Sequence, residues 1–240
     1  MNEALERMRL LIQEEGLTKL ANTSVMIVGV GGVGSYSAEA LARCGIGKLI
    51  LVDGDTIAMS NLNRQIHATF DTIGKPKPQM MHERIETYRN DCEVIELSLF
   101  YDQTMNETLL SYKPDFIIDA IDTITSKADL IEMAHHHKIP CISSLGMANR
   151  FDPTQIMITD LWKTEYDPLA KAMRSMMRKR KATYRIPVIF SKEQPFVQHE
   201  IVNADATTRK AKMPPASTPF VPSAAGLAAA SYIVKLILNR

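Results

Sequence analysis

Cysteine is scarce. Cys44, Cys92 and Cys141 are the three in a chain of 240 residues, and no two form a CxxC pair. That argues against a disulfide scaffold or a zinc knuckle and suits reduced thiols in a cytoplasmic protein. A charge imbalance is also lacking. Twenty-eight Lys+Arg stand against 27 Asp+Glu, a net charge of +1, so a nucleic-acid partner must be read from local clustering. Long apolar runs are missing too. The N-terminus, MNEALERMRLL, has early acids and no signal-peptide core. The most apolar stretch, 224–238, reads as too short for a bilayer and contains Lys235, so no membrane partner is expected. What is present is globular: 45% hydrophobic and 23% charged residues, enough chain to bury a substantial core.

Two halves of one domain are expected, 1–150 and 151–240. In the first, apolar runs alternate with helical segments. Strands are expected at 25–30, 48–53, 94–100, 116–121 and 139–144, with helices at 35–43, 77–88 and 126–137 between them. This predicts an α/β fold, a Rossmann-like doubly wound and mainly parallel sheet, with ligands beyond the carboxyl ends of the strands. A helix at 3–15 precedes it. The second half reads as a mixed or antiparallel extension: a strand at 155–160, a basic helix at 168–180, a Pro- and Lys-rich stretch, and a last helix from 224 to about 239.

The first strand runs into G-V-G-G-V-G, with Gly29, Gly31, Gly32 and Gly34 opening a helix. Glycines there let the backbone approach a phosphate at a helix N-terminus. Alone, the motif fits NAD, FAD and ATP equally. Asp53 ends the second strand, where an acid commonly holds a ribose diol, and Asp55 follows in the same loop. The next residues favour phosphate chemistry over hydride transfer. Asn61, Arg64 and Gln65, then Lys75 and Lys77, bring several cations to one strand end. Hydride transfer gains nothing from them, whereas attack on an α-phosphate builds charge that Arg and Lys neutralise. Asp122, after the fourth strand, lies at the same sheet edge and suits Mg2+, which takes one or two protein carboxylates.

With GVGGVG, LVDGDTIAMSNLNRQ, IGKPK and DAID in place, the chain resembles the ubiquitin-activating-enzyme-like superfamily, the ThiF/MoeB-type adenylating enzymes. RMRLLIQEEGLTKL, DPTQIMITDLWKTEYDPLAKAMR and FVPSAAG bring it closer to the tRNA threonylcarbamoyladenosine dehydratase branch. The likeness covers nearly the whole chain. It implies ATP and Mg2+, a carboxyl adenylate, tRNA as substrate and a homodimer. By the same likeness Gly31 contacts phosphate, Asp53 the ribose, Asn61, Arg64 and Lys77 the triphosphate, and Asp122 the metal, while Arg7 acts from a second subunit. Two residues depart from the family: Gln13 replaces an expected Gly and Met8 an expected Thr.

A basic tract stands apart from the nucleotide residues. Lys171, Arg174, Arg178, Lys179, Arg180, Lys181 and Arg185 follow one another with no acid among them, a pattern suited to tRNA phosphates. Arg209, Lys210 and Lys212 extend it. His135, His136 and His137 are consecutive and read as a solvated helix end. His67 reads as a hydrogen-bonded structural residue near the phosphates, Trp162 and Met173, Met176 and Met177 as packing residues, and the cysteines as inert thiols. Three other readings stay open. These are an activator of a ubiquitin-like sulfur carrier with an undefined sulfur-relay partner, a non-catalytic nucleotide-regulated RNA-binding module, and a dehydrogenase.

Overall fold

The computed structural model describes residues 3–198 and 215–240. Arg209, Lys210 and Lys212 lie outside the described residues. Seven strands form one sheet in the order β3-β2-β1-β4-β5-β7-β6. They are β1 (Ser24–Val28), β2 (Lys48–Val52), β3 (Glu93–Leu97), β4 (Phe116–Asp119), β5 (Cys141–Ser144), β6 (Ile156–Asp160) and β7 (Pro187–Ser191). All neighbours pair in parallel except β6 with β7. The expected antiparallel extension is thus an edge strand on the same sheet.

The helices are α1 (Glu6–Ala21), α2 (Gly34–Cys44), α3 (Lys77–Glu86), α4 (Asn106–Ser111), α5 (Ile124–His136), α6 (Pro168–Lys179) and α7 (Phe220–Ile237). Strand side chains alternate between the two faces. Val25 and Ile27 of β1 join a core with Leu41 of α2 and Ile233 of α7. Met26 and Val28 face the opposite way, toward Leu109 of α4 and Leu130 of α5. Both faces are covered, which is why β1 is apolar at every position after Ser24.

Several boundaries differ from expectation, each for a local reason. Strand β7 sits inside the stretch read as Pro- and Lys-rich coil; its five residues are too short a run to stand out beside Pro187 and Pro195. Helix α4 has six residues, too few to show helical periodicity. Strand β3 stops at Leu97, short of the expected 100.

Helix α7 begins at Phe220, since Pro222 is compatible with a first turn. Its 18 residues make it the one described helix long and apolar enough to cross a membrane. Here it packs on α2: a Cβ on Gly226 would come 2.3 Å from the Val33 carbonyl, and the Ser37 hydroxyl donates to the Gly226 carbonyl at 3.0 Å.

Helix α1 is longer than the expected 3–15 and is broken within. Gln13 has φ 61° and ψ −179°, a region otherwise occupied by glycine. Glycine, the residue expected here from the resemblance, is thus the one this bend calls for.

Candidate active site

The order β3-β2-β1-β4-β5 reverses direction between β1 and β4, and the crevice of such a sheet opens there. The turn from β1 into α2 forms its floor. Gly29 has φ 94°, its amide donates to the Val52 carbonyl at 2.7 Å, and a Cβ would strike the Ala120 carbonyl at 2.6 Å. A Cβ on Gly34 would lie 1.8 Å from the Gly29 carbonyl. Glycine is thus required at both ends of the turn, while Gly31 and Gly32 face the opening between them.

Above this turn lies a cavity of about 900 Å³. Its lining brings together Gly29, Gly31, Gly32, Asp53, Asp55, Asn61, Arg64, Lys77 and Asp122 from four separate segments. Gly34 supports the turn without lining the cavity. Asp53 accepts from the Val30 amide at 2.7 Å and the Asp55 amide at 2.8 Å, so its carboxylate is held rigidly at the end of β2. Lys77 is buried at the start of α3, and its Nζ donates to Asp55 at 2.7 Å and lies 3.7 Å from Asp53. Arg64 Nη1 donates to the Ser60 carbonyl at 2.8 Å and to Asn63 Oδ1 at 2.9 Å. Asn61 is buried, its Oδ1 accepting from the Ala58 amide at 3.0 Å.

The two acids of DAID have different surroundings. Asp119 is fully buried, bonded to Lys127 Nζ at 2.8 Å and to the Ser143 hydroxyl at 2.6 Å. Lys127 also donates to Ser143 at 3.1 Å, which closes the triad. Removing one partner of such a buried pair costs roughly 3–5 kcal/mol. Asp122 is exposed on the cavity wall. Its Oδ1 accepts only a long bond from the Thr123 hydroxyl, at 3.4 Å, and one such exposed carboxylate suits a magnesium ion that draws its other ligands from phosphates and water.

Arg7 does not line the cavity of its own chain. It is exposed on α1, before the break at Gln13. Lys75 is likewise exposed and away from the lining. The His67 backbone carbonyl accepts from the Thr72 hydroxyl at 3.0 Å, but its imidazole makes no structural hydrogen bond: the residue is buried, and neither ring nitrogen has a hydrogen-bond partner among the described residues. Burial first, then the nearby Lys77 and Arg84 charges, push its pKa down to about 4. Burial raises the thiols of Cys44 and Cys92, the latter to about 11, and Cys141 also rises. None has the character of an activated thiolate.

One wall of the cavity was missed in the sequence. It is built from the residues after β5, Gly146 to Arg150, and from the start of α6. Arg150 is buried; its Nε donates to the Glu193 carbonyl at 3.0 Å and its Nη1 to the Gly146 carbonyl. Burial lowers its pKa, opposed by Asp167 and Glu193. Asp167 caps α6 through the Leu169 and Ala170 amides at 2.8 and 3.1 Å, and accepts from the Gly146 amide at 3.0 Å. Asp-Pro before a helical run is a readable cap signal. A lone arginine after a strand carries no comparable signal.

The basic tract is acid-free in sequence but not in space. Arg180 Nη1 is held by Asp129 at 2.7 Å and Glu132 at 2.6 Å, both on α5. Arg174 donates to the Thr164 carbonyl at 3.0 Å. Lys171, Arg178, Lys179, Lys181 and Arg185 are exposed. Trp162 donates its indole N–H to the Tyr184 carbonyl at 3.1 Å, while Met173 and Met177 are fully buried beneath α6.

A phosphate-type loop, a fixed acid at the β2 end and convergent Arg and Lys side chains lie in a chain whose residues 5–240 match one family pattern. The chain belongs to the ThiF family. Within it, the chain is 45% identical to the tRNA threonylcarbamoyladenosine dehydratase of Bacillus subtilis, spanning 100% of this chain and 96% of that protein. The Escherichia coli tRNA N6-threonylcarbamoyladenosine dehydratase in complex with ATP superposes with a TM-score of 0.88 at 32% identity, covering 99% of this chain and 94% of that one. The same enzyme in complex with AMP gives 0.88 at 32% identity, covering 97% and 93%.

Proposed function

We propose that this ThiF-family chain is an ATP-dependent dehydratase of threonylcarbamoyladenosine in tRNA. The observation that carries the reading is the single cavity in which the glycine turn, Asp53, Arg64, Lys77 and Asp122 converge. Likeness over the full length to the Bacillus subtilis dehydratase supports the substrate class.

In this reading ATP enters as a substrate. Asp53 accepts the ribose hydroxyls, and the turn amides with Asn61 receive phosphate oxygens. The threonyl carboxylate attacks the α-phosphorus, the bond to the bridging oxygen breaks, and pyrophosphate leaves. Arg64 and Lys77 stabilise the charge that gathers on the phosphate oxygens. Lys77 exchanges part of its pairing with Asp55 for phosphate. The carbamoyl group then attacks the activated carboxyl carbon and AMP departs. The ring so formed has lost one water relative to the starting nucleoside, and ATP has become AMP and pyrophosphate. No enzyme nucleophile is required, and the raised thiols suit that route better than a thioester relay to a sulfur carrier. Asp122 would hold Mg2+, which supplies charge neutralisation on the phosphates. The C-terminal half supplies the tRNA surface, through Lys171, Arg178, Lys179 and Lys181. A cytoplasmic homodimer completes each site with Arg7 of the second subunit.

The test is mass spectrometry of the modified nucleoside after tRNA is incubated with the chain, ATP and magnesium. Loss of one water from the nucleoside is expected, with AMP formed alongside. Lys77→Ala and Arg64→Ala should each slow AMP formation by roughly 100-fold or more while ATP affinity falls less. An unchanged nucleoside mass, or AMP formation stimulated by a protein ending in Gly-Gly and not by tRNA, would defeat the reading.

A further inference from the structure

Two phenylalanines stand exposed just outside the cavity, and the nucleotide chemistry does not use them. Phe151 and Phe196 are 60% and 57% exposed. Their ring centroids lie 5.8 Å apart at an interplanar angle of 86°, an edge-to-face pair. Such a pair leaves ring faces uncovered by its own members. Each phenylalanine directly follows a cavity-lining residue, Arg150 and Pro195 respectively.

Their backbones are fixed to that same wall. The Phe196 amide donates to the Asn149 carbonyl at 2.8 Å. The Phe151 amide donates to the Glu193 carboxylate at 3.0 and 3.1 Å. Glu193 also accepts from the Asp152 amide at 2.9 Å, and its backbone carbonyl receives Arg150 Nε. The backbone that carries both rings is therefore anchored to the structure that shapes the inner wall.

We propose that Phe151 and Phe196 form a stacking platform for unpaired RNA bases that flank the modified adenosine. This rests on the tRNA reading above. The reacting carboxylate is attached to an adenine, and the α-phosphate it must reach lies inside a crevice at the end of a sheet. The adenosine has to leave its stack to enter, and its neighbours lose a stacking partner. Aromatic side chains at the entrance replace that partner for any base, because every base has a π-face. The platform contributes affinity without reading sequence. It also differs physically from the cations of α6, whose contribution falls with salt.

That difference supplies the test. The full chain, the double variant Phe151→Ala/Phe196→Ala, and Phe196→Trp are titrated with tRNA carrying the modified adenosine, over a salt series. The double variant should bind tRNA about tenfold more weakly, the scale of one lost base–aromatic stack, with an unchanged salt slope. AMP binding should be unaltered. Phe196→Trp should keep near-normal affinity, and tRNA should quench its emission beyond any change seen with the native Trp162 alone. Unchanged tRNA affinity in the double variant overturns the platform, as does a loss that flattens the salt slope. A smaller oligomer in light scattering, with tRNA affinity per chain retained, assigns the pair to a contact between copies and also overturns it. If the unmodified chain binds no tRNA, the functional reading fails with it; if tRNA binds but is indifferent to the pair, only the platform fails.

Discussion

His67 lies two residues beyond Gln65, which lines the cavity, yet it is sealed from solvent with neither ring nitrogen hydrogen-bonded among the described residues. Its folded pKa of about 4 lies below the ordinary 6.5, so the native state binds the proton less well than the unfolded chain. The stability this gives is fully present above the unfolded value. It is lost as pH falls from 6.5 toward 4. By linkage, about 2 kcal/mol should be gone near pH 5. Urea unfolding at about pH 7.5 and about pH 5 should show that decline in the native chain. His67→Leu should remove this share of it. An identical decline in both proteins would mean that His67 is not the group responsible. In sequence, RQIHA puts His67 near the phosphates, and a structural hydrogen bond is the favoured expectation there over a proton shuttle. Its burial without partners depends on how that loop packs, which no local pattern records.

At the scale of elements, helix α6 links the two proposed surfaces. Its N-cap, Asp167, belongs to the cavity wall, and its far end carries Arg178 and Lys179. Arg180 is committed to Asp129 and Glu132, so it ties α6 to α5 and contributes little free charge. Exposed Arg178, Lys179 and Lys181 should instead each neutralise a phosphate. Replacing those three with Ser should weaken tRNA binding and reduce the logarithmic salt slope by up to about 3 units. Replacing Arg180 with Ser should lower stability and leave the slope nearly as it was. ATP affinity should hold in the triple variant, since its residues lie outside the cavity lining. Equal slopes for the native and triple variant would leave this end of α6 a solvated helix. Counting charges along the chain could not separate these arginines, because the acids that occupy Arg180 come from another helix.

At the scale of the molecule, the position of Arg7 matters most. It sits on α1, apart from its own cavity, and the strained backbone at Gln13 sets the direction of the segment that carries it. If Arg7 serves the cavity of a second subunit, each site is shared. Arg7→Ala and Arg64→Ala chains, each inactive alone, should recover AMP formation when mixed, because one site in the heterodimer then has both arginines. No recovery, with subunit exchange verified, would return Arg7 to a surface role.

Much of the architecture was legible in the residues themselves. Val25 to Val28, a short apolar run leading into glycines, reads as a strand covered on both faces, and Gly29 and Gly34 sit where backbone geometry and close contact exclude a side chain. Asp53, Arg64, Lys77 and Asp122 each come after a strand end, so strand order brings them to one edge of the sheet, whereas Lys75 in the same stretch stays outside the cavity lining. Short elements escaped because β7 and α4 are held by neighbours more than by their own pattern. Arg150, the split between buried Asp119 and exposed Asp122, and the paired Phe151 and Phe196 were decided only in three dimensions. Each depends on contacts between segments far apart in the chain, where burial and partner geometry determine what a residue type does.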